Sequence, residues 1–86
     1  MAKYCMKVLL FAEAREVAEA DSIEIEISSK SSRTEIFSCL SSKIPELESV
    51  LKSSQLAQNQ EYVSDEGSID ISASDELAVI PPIGGG

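Results

Sequence analysis

The chain has 86 residues, 43% of them hydrophobic, enough to build one small hydrophobic core and too few for two. Fifteen acidic residues against seven basic ones leave a net charge of -8, which argues against nucleic acid and anionic membrane surfaces and suits a partner with a basic groove. No run of about 18 apolar residues predicts a membrane span, and the absence of histidine and tryptophan removes the commonest general base and the commonest metal ligand. A self-contained enzyme is therefore not expected, and neither is a metal site. Carboxylates are plentiful, but most stand singly between apolar strand residues. A core of this size supplies roughly 3–5 kcal/mol, a stability typical of small domains that work against a larger partner. Cys5 and Cys39 fit no metal spacing and are too few for a disulfide framework, so both are expected to be reduced thiols packed in the core of a cytoplasmic protein.

Lys3 to Phe11 reads as a strand. Tyr4, Met6, Val8 and Leu10 alternate with Lys3, Cys5, Lys7 and Leu9, and both faces turn apolar toward the end, as in a central strand. The same alternation argues against a signal peptide. Ala12 to Ala20 is rich in alanine and glutamate and predicts a helix, with Ala14, Val17 and Ala18 on one face and Asp21 as its breaker. Ser22 to Ser28 is a clear amphipathic strand, with Ile23, Ile25 and Ile27 pointing one way and Glu24 and Glu26 the other. Ser29 to Ser32 predicts a polar loop. Ser32-Arg33-Thr34-Glu35 matches a capping box, and Ile36, Leu40 and Ile44 continue as the apolar stripe of the main helix, widened by Phe37 and Cys39. Pro45 ends that helix and can open a second short one, in which Leu47, Val50 and Leu51 share a face.

Leu56 to Val63 predicts a weaker strand with Asn59 inside it. Ser64-Asp65-Glu66-Gly67 has turn chemistry, Ser68 to Ser72 a short alternating strand with Ile69 and Ile71, and Ser74-Asp75 a further turn. Leu77 to Ile80 predicts a last buried strand. Pro81-Pro82 then stops ladder pairing and stiffens the exit as polyproline II, before Ile83-Gly84-Gly85-Gly86. Two strands before the main helix, and a last apolar strand able to return beside the first, make one sheet with a helix across one face the simplest closed solution. The expected fold is thus α+β, a β-grasp (ubiquitin-like) roll with a mixed sheet of about five strands, one main helix and short extra helices. Residues 1–80 would form the domain and residues 81–86 an extended tail.

The segment Asp75-Glu76-Leu77-Ala78-Val79-Ile80-Pro81-Pro82-Ile83-Gly84-Gly85-Gly86 resembles the terminal signature of the small, sulfur-carrying subunits of molybdopterin synthase: an acidic strand start, Pro-Pro, an apolar residue, a variable residue and Gly-Gly. Val8-Leu9-Leu10-Phe11-Ala12 with Arg15-Glu16 resembles that family's first strand and helix start, and Leu56 to Val63 its central Ala-x-Asn-x-x-x-Val strand. The resemblance covers nearly the whole chain. It departs at Gly84, which fills the variable position, and at Ser74-Asp75, where the family usually has Gly-Asp.

The resemblance implies that Gly86 acts through its main-chain carboxylate. An activating enzyme would adenylate it with ATP, sulfur transfer would leave a thiocarboxylate, and a large synthase subunit would direct that sulfur onto cyclic pyranopterin monophosphate. Two such transfers would complete the dithiolene of molybdopterin, in an expected heterotetramer of two small and two large subunits. Nucleotide enters only through the transient acyl-adenylate, and no permanently bound cofactor is expected. Glycine suits a terminal carbonyl that must enter narrow pockets and be attacked there, because a Cβ would crowd it. Gly85 and Gly84 extend the thin tip, and Pro81 and Pro82 form its stiff base. Phe11, Ile80 and Ile83 would form an apolar docking patch, with core packing the competing role for Phe11 and Ile80, and Arg15 would either pair with a partner carboxylate or stay a solvated charge. A carrier for thiamine synthesis or tRNA thiolation, a ubiquitin-like protein modifier and a plain interaction module remain the alternatives.

Overall fold

The structure, a computed structural model, describes residues 3–63 and 67–82. Strand β1 (Lys3–Leu10) runs antiparallel to β2 (Ser22–Ser28). Their register sets Tyr4, Met6 and Val8 opposite Ile27, Ile25 and Ile23, so the apolar side chains of both strands fall on one face. Helix α1 (Ala12–Ala18) links them and buries Ala14. It stops earlier than Asp21 suggests, because Glu19 adopts a left-handed conformation with φ 56° and its N–H bonds back to Glu16 O. A bond from Leu10 N–H to Asp21 O, 2.8 Å long, closes this connection.

The expected loop over Ser29 to Ser32 is largely a short strand, β3 (Lys30–Ser32), paired antiparallel with β6 (Ser68–Asp70) in a separate two-stranded ribbon. Lys-Ser-Ser has little strand propensity of its own. The pairing comes from a distant segment and is reinforced by the bond from Ile71 N–H to Ser29 O. Ser31 is buried, and its hydroxyl is satisfied by donating to Ser28 O.

Helix α2 (Arg33–Lys43) begins with the capping box that its sequence spells: the Ser32 hydroxyl accepts from Glu35 N–H and the Glu35 carboxylate accepts from Ser32 N–H. Ile36 and Leu40 are fully buried beneath it, with Phe37, Cys39 and Ile44 packed around them. Pro45 opens a 3₁₀ turn (Pro45–Leu47) that runs into α3 (Glu48–Leu51), and Leu47, Val50 and Leu51 close one end of the core.

The expected strand Leu56–Val63 is instead a hairpin of β4 (Gln55–Gln58) and β5 (Glu61–Tyr62). Asn59 and Gln60, at φ 53° and 71°, form its two-residue turn. Apolar residues on both sides of Asn59 hid the reversal. Strand β7 (Leu77–Ile80) completes the main sheet, parallel to β1 and antiparallel to β4, in the order β2-β1-β7-β4-β5. Leu77 and Val79 are fully buried, and the helices cover this face.

Cys5 corrects the expectation of core thiols. Strand alternation places it on the outward face between Lys3 and Lys7, opposite Glu26, and it is exposed. Cys39 is half-buried, its Sγ 3.9 Å from Glu26 O. Met1 and Ala2, then Ser64, Asp65 and Glu66, where the sequence predicts a turn, and Ile83, Gly84, Gly85 and Gly86 lie outside the described residues.

Candidate functional site: the open face of the sheet

Register decides what the sheet presents on the side away from the helices. Leu9 lies opposite Ala78, Ala78 opposite Ala57, and Ala57 opposite Tyr62, so one row crosses β1, β7, β4 and β5. The two alanines form a low floor. Leu9, Phe11, Gln60, Tyr62, Glu76 and Ile80 stand around it and enclose a concavity of about 380 Å³. Phe11 is 46% exposed and Tyr62 68%, large apolar surfaces for a chain this small. Ile80 is half-buried. A second hollow of about 370 Å³ shares Tyr62 and Ile80 and continues past Gln55 and Ser53 to Pro81 and Pro82. Together they form an apolar track from β1 to the base of the tail.

Phe11 and Ile80 thus lie together on this face, while Leu77 and Val79 belong to the core. Pro81 is buried and Pro82 exposed; Ile83, Gly84, Gly85 and Gly86 fall outside the described residues. Arg15 is exposed on α1 and lies 3.6 Å from Asp21, an ion pair that contributes little at such exposure. Tyr62, Leu9, Ala57 and Ala78 escaped the sequence reading. With the hairpin turn unrecognised, the alternation of Ala57 and Tyr62 onto one face could not be seen. A separate polar groove of about 320 Å³ between α2 and α3, where Arg33 lies 5.5 Å from the Phe37 ring centre, shares none of these residues.

A polar clasp fixes the hairpin beside β7. Asn59 N–H donates to Glu76 O at 2.8 Å, and the Asn59 side-chain carbonyl accepts from Glu76 N–H at 2.9 Å. The Asp75 carboxylate accepts from Ser72 N–H and from the side chains of Asn59, Gln58 and Ser72, all within 3.1 Å. These donors, the Ser72 N–H foremost, lower the Asp75 pKa from its ordinary 3.8 to about 2. A depressed carboxylate stabilises the fold above its unfolded pKa and loses that contribution as pH falls through the folded value. Asp75→Asn should therefore flatten the wild-type loss of melting temperature between about pH 4 and pH 2, measured as the difference between the two proteins so that other carboxylates cancel. Parallel acid profiles for the two proteins would contradict the clasp.

Among the described residues, no group of three or more His, Cys, Asp or Glu could hold a metal ion, and no helix is long and apolar enough to cross a membrane. A mixed sheet with β1 and β7 parallel at its centre, helices across one face and an apolar track on the other defines a ubiquitin-like β-grasp protein. Comparison with known proteins narrows this. The chain belongs to the ThiS family, whose model matches residues 8–86. It is 42% identical over 81 residues to the molybdopterin synthase sulfur carrier subunit of Dictyostelium discoideum, covering 93% of this chain and 94% of that one. Among solved structures, a putative molybdopterin converting factor subunit 1 from Pyrococcus furiosus superposes with a TM-score of 0.70 at 25% identity, over 96% of this chain and 100% of that one. Small archaeal modifier protein 1 of Haloferax volcanii shares the fold, with a TM-score of 0.75 at 24% identity and coverage of 96% and 100%.

Proposed function

We propose that the chain is the sulfur carrier of a molybdopterin synthase. The observation that carries this reading is the apolar track that leads across the open sheet face to Pro81-Pro82, directly before the Ile83-Gly84-Gly85-Gly86 sequence. Such a track can seat the chain on a larger subunit while the tail reaches a reaction centre there. The Gly86 carboxylate attacks the α-phosphate of ATP on an activating enzyme and releases pyrophosphate. Hydrosulfide, supplied by a sulfur donor, then displaces AMP and leaves the thiocarboxylate. On the large subunit, that sulfur attacks a carbon of cyclic pyranopterin monophosphate and displaces an oxygen substituent. Water then cleaves the resulting thioester, so the sulfur stays on the pterin and Gly86 returns as its carboxylate. Two carriers and two large subunits form the working heterotetramer in the cytoplasm, and the carrier itself retains no cofactor. Its charge of -8 favours rapid encounter with basic partner surfaces.

Intact mass tests the reading. After incubation with the activating enzyme, ATP and a sulfur donor, the chain should gain about 16 Da, the exchange of one oxygen for sulfur. Ladders of conjugates on other proteins, with no such gain, would instead mark a protein modifier. Docking is tested by Ile80→Ser, which should raise the dissociation rate from the large subunit about tenfold and leave association nearly unchanged. A lowered melting temperature with unaltered dissociation would assign Ile80 to the core.

A further inference from the structure

The hairpin turn at Asn59-Gln60 is built against local preference. A two-residue turn with positive φ at both positions is met most easily by Asn-Gly, since glycine has no Cβ to strain. Asn59 satisfies the first position. The second holds glutamine at φ 71°, in a region that residues with a side chain rarely adopt. Such a conformation persists only where its surroundings over-determine it. Here the Asn59 clasp does so, bonding to Glu76 through both backbone and side chain and to Asp75 through the amide nitrogen.

What the glutamine side chain gives in return is absent from the fold itself. Gln60 is exposed, and among the described residues its side-chain amide has no hydrogen-bond partner. It stands on the rim of the apolar concavity beside Tyr62 and Glu76. Resting on the docking reading above, we propose that Gln60 is a partner-contact residue. Its amide hydrogen-bonds polar groups of the large subunit at the rim of the interface. The apolar floor supplies contact area, and the amide, carried on a backbone fixed by the turn, supplies selectivity, as polar rim groups do around apolar interface centres.

The test uses the full chain and the purified large subunit of molybdopterin synthase, with Kd from surface-binding kinetics and melting temperature from circular dichroism. Gln60→Gly relieves the strain and removes the amide. It should weaken binding about five- to tenfold while the melting temperature stays level or rises by a few degrees. Gln60→Ala keeps the Cβ and the restricted backbone, and should weaken binding to the same degree. Wild-type affinity in Gln60→Ala overturns the proposal, because the amide would then contribute nothing. A fall of several degrees in Gln60→Gly also overturns it, by making the side chain a support of the fold. Tyr62→Ala separates this from the docking reading. If it weakens binding while both Gln60 variants do not, only the Gln60 contact fails. If Tyr62→Ala itself binds like wild type, the open face is not the docking surface.

Discussion

Ile25→Asp is expected to unfold the chain. Ile25 is 2% exposed in the middle of β2, directly opposite Met6, which is equally buried. The substitution removes an aliphatic side chain from a packed site, and a Leu or Ile truncated to a small residue in such a place costs about 2–5 kcal/mol. It also sets a carboxylate among the apolar side chains of the core cluster. Burying even a neutral polar group without a partner adds roughly 1–3 kcal/mol. A core of this size holds only about 3–5 kcal/mol in total, so the first cost alone approaches it and the two together, about 3–8 kcal/mol, match or exceed it. Far-ultraviolet circular dichroism should show loss of the native spectrum and no cooperative melt. Ile25→Val, which keeps the shape and loses one methyl, should cost only about 1 kcal/mol and fold normally. Native melting by the aspartate variant would place Ile25 outside the core.

Deleting Gly86 is expected to have the opposite profile, loss of function with the fold untouched. In the proposed chemistry the reacting atoms belong to the last main-chain carboxylate, so removing or adding one residue moves them by about 3.4 Å along an extended chain. Misplacement of a reacting group by about 1 Å can already cost 100-fold, so sulfur transfer should fall by at least about that factor. Gly84, Gly85 and Gly86 carry no side chains to bury, so their loss should leave the melting temperature within about a degree of wild type. Transfer at the wild-type rate by the deletion variant would refute the carrier reading. A large fall in melting temperature would show instead that the tail supports the fold.

Gln60 and Ile25 stand at opposite ends of one trade. Burial stabilises the core face of the sheet, where every substitution is felt. On the open face, the chain keeps Phe11 and Tyr62 in water and a glutamine in a strained turn, costs that stability alone does not explain.

The sequence by itself determined the elements whose signals are local. The alternation of Ile23, Ile25 and Ile27 with Glu24 and Glu26 defined β2, and Ser32 with Glu35 defined the start of α2, because each pattern completes itself within a few residues. Pro45 likewise marked both the end of α2 and the following short helix, through its missing N–H. The order of these elements already implied a β-grasp roll, and the terminal Pro-Pro and Gly-Gly pattern already suggested the sulfur-carrier family. What only the tertiary structure decided depends on partners far apart in the chain. Lys30–Ser32 became a strand because Ser68–Asp70 lay beside it. The reversal at Asn59-Gln60 was invisible because its second position is not glycine; it is held by Asp75 and Glu76, which lie far along the chain. The docking track, finally, is a row across four strands, Leu9, Ala78, Ala57 and Tyr62, and neighbours across a sheet are set by strand pairing and register, which no single strand's pattern contains.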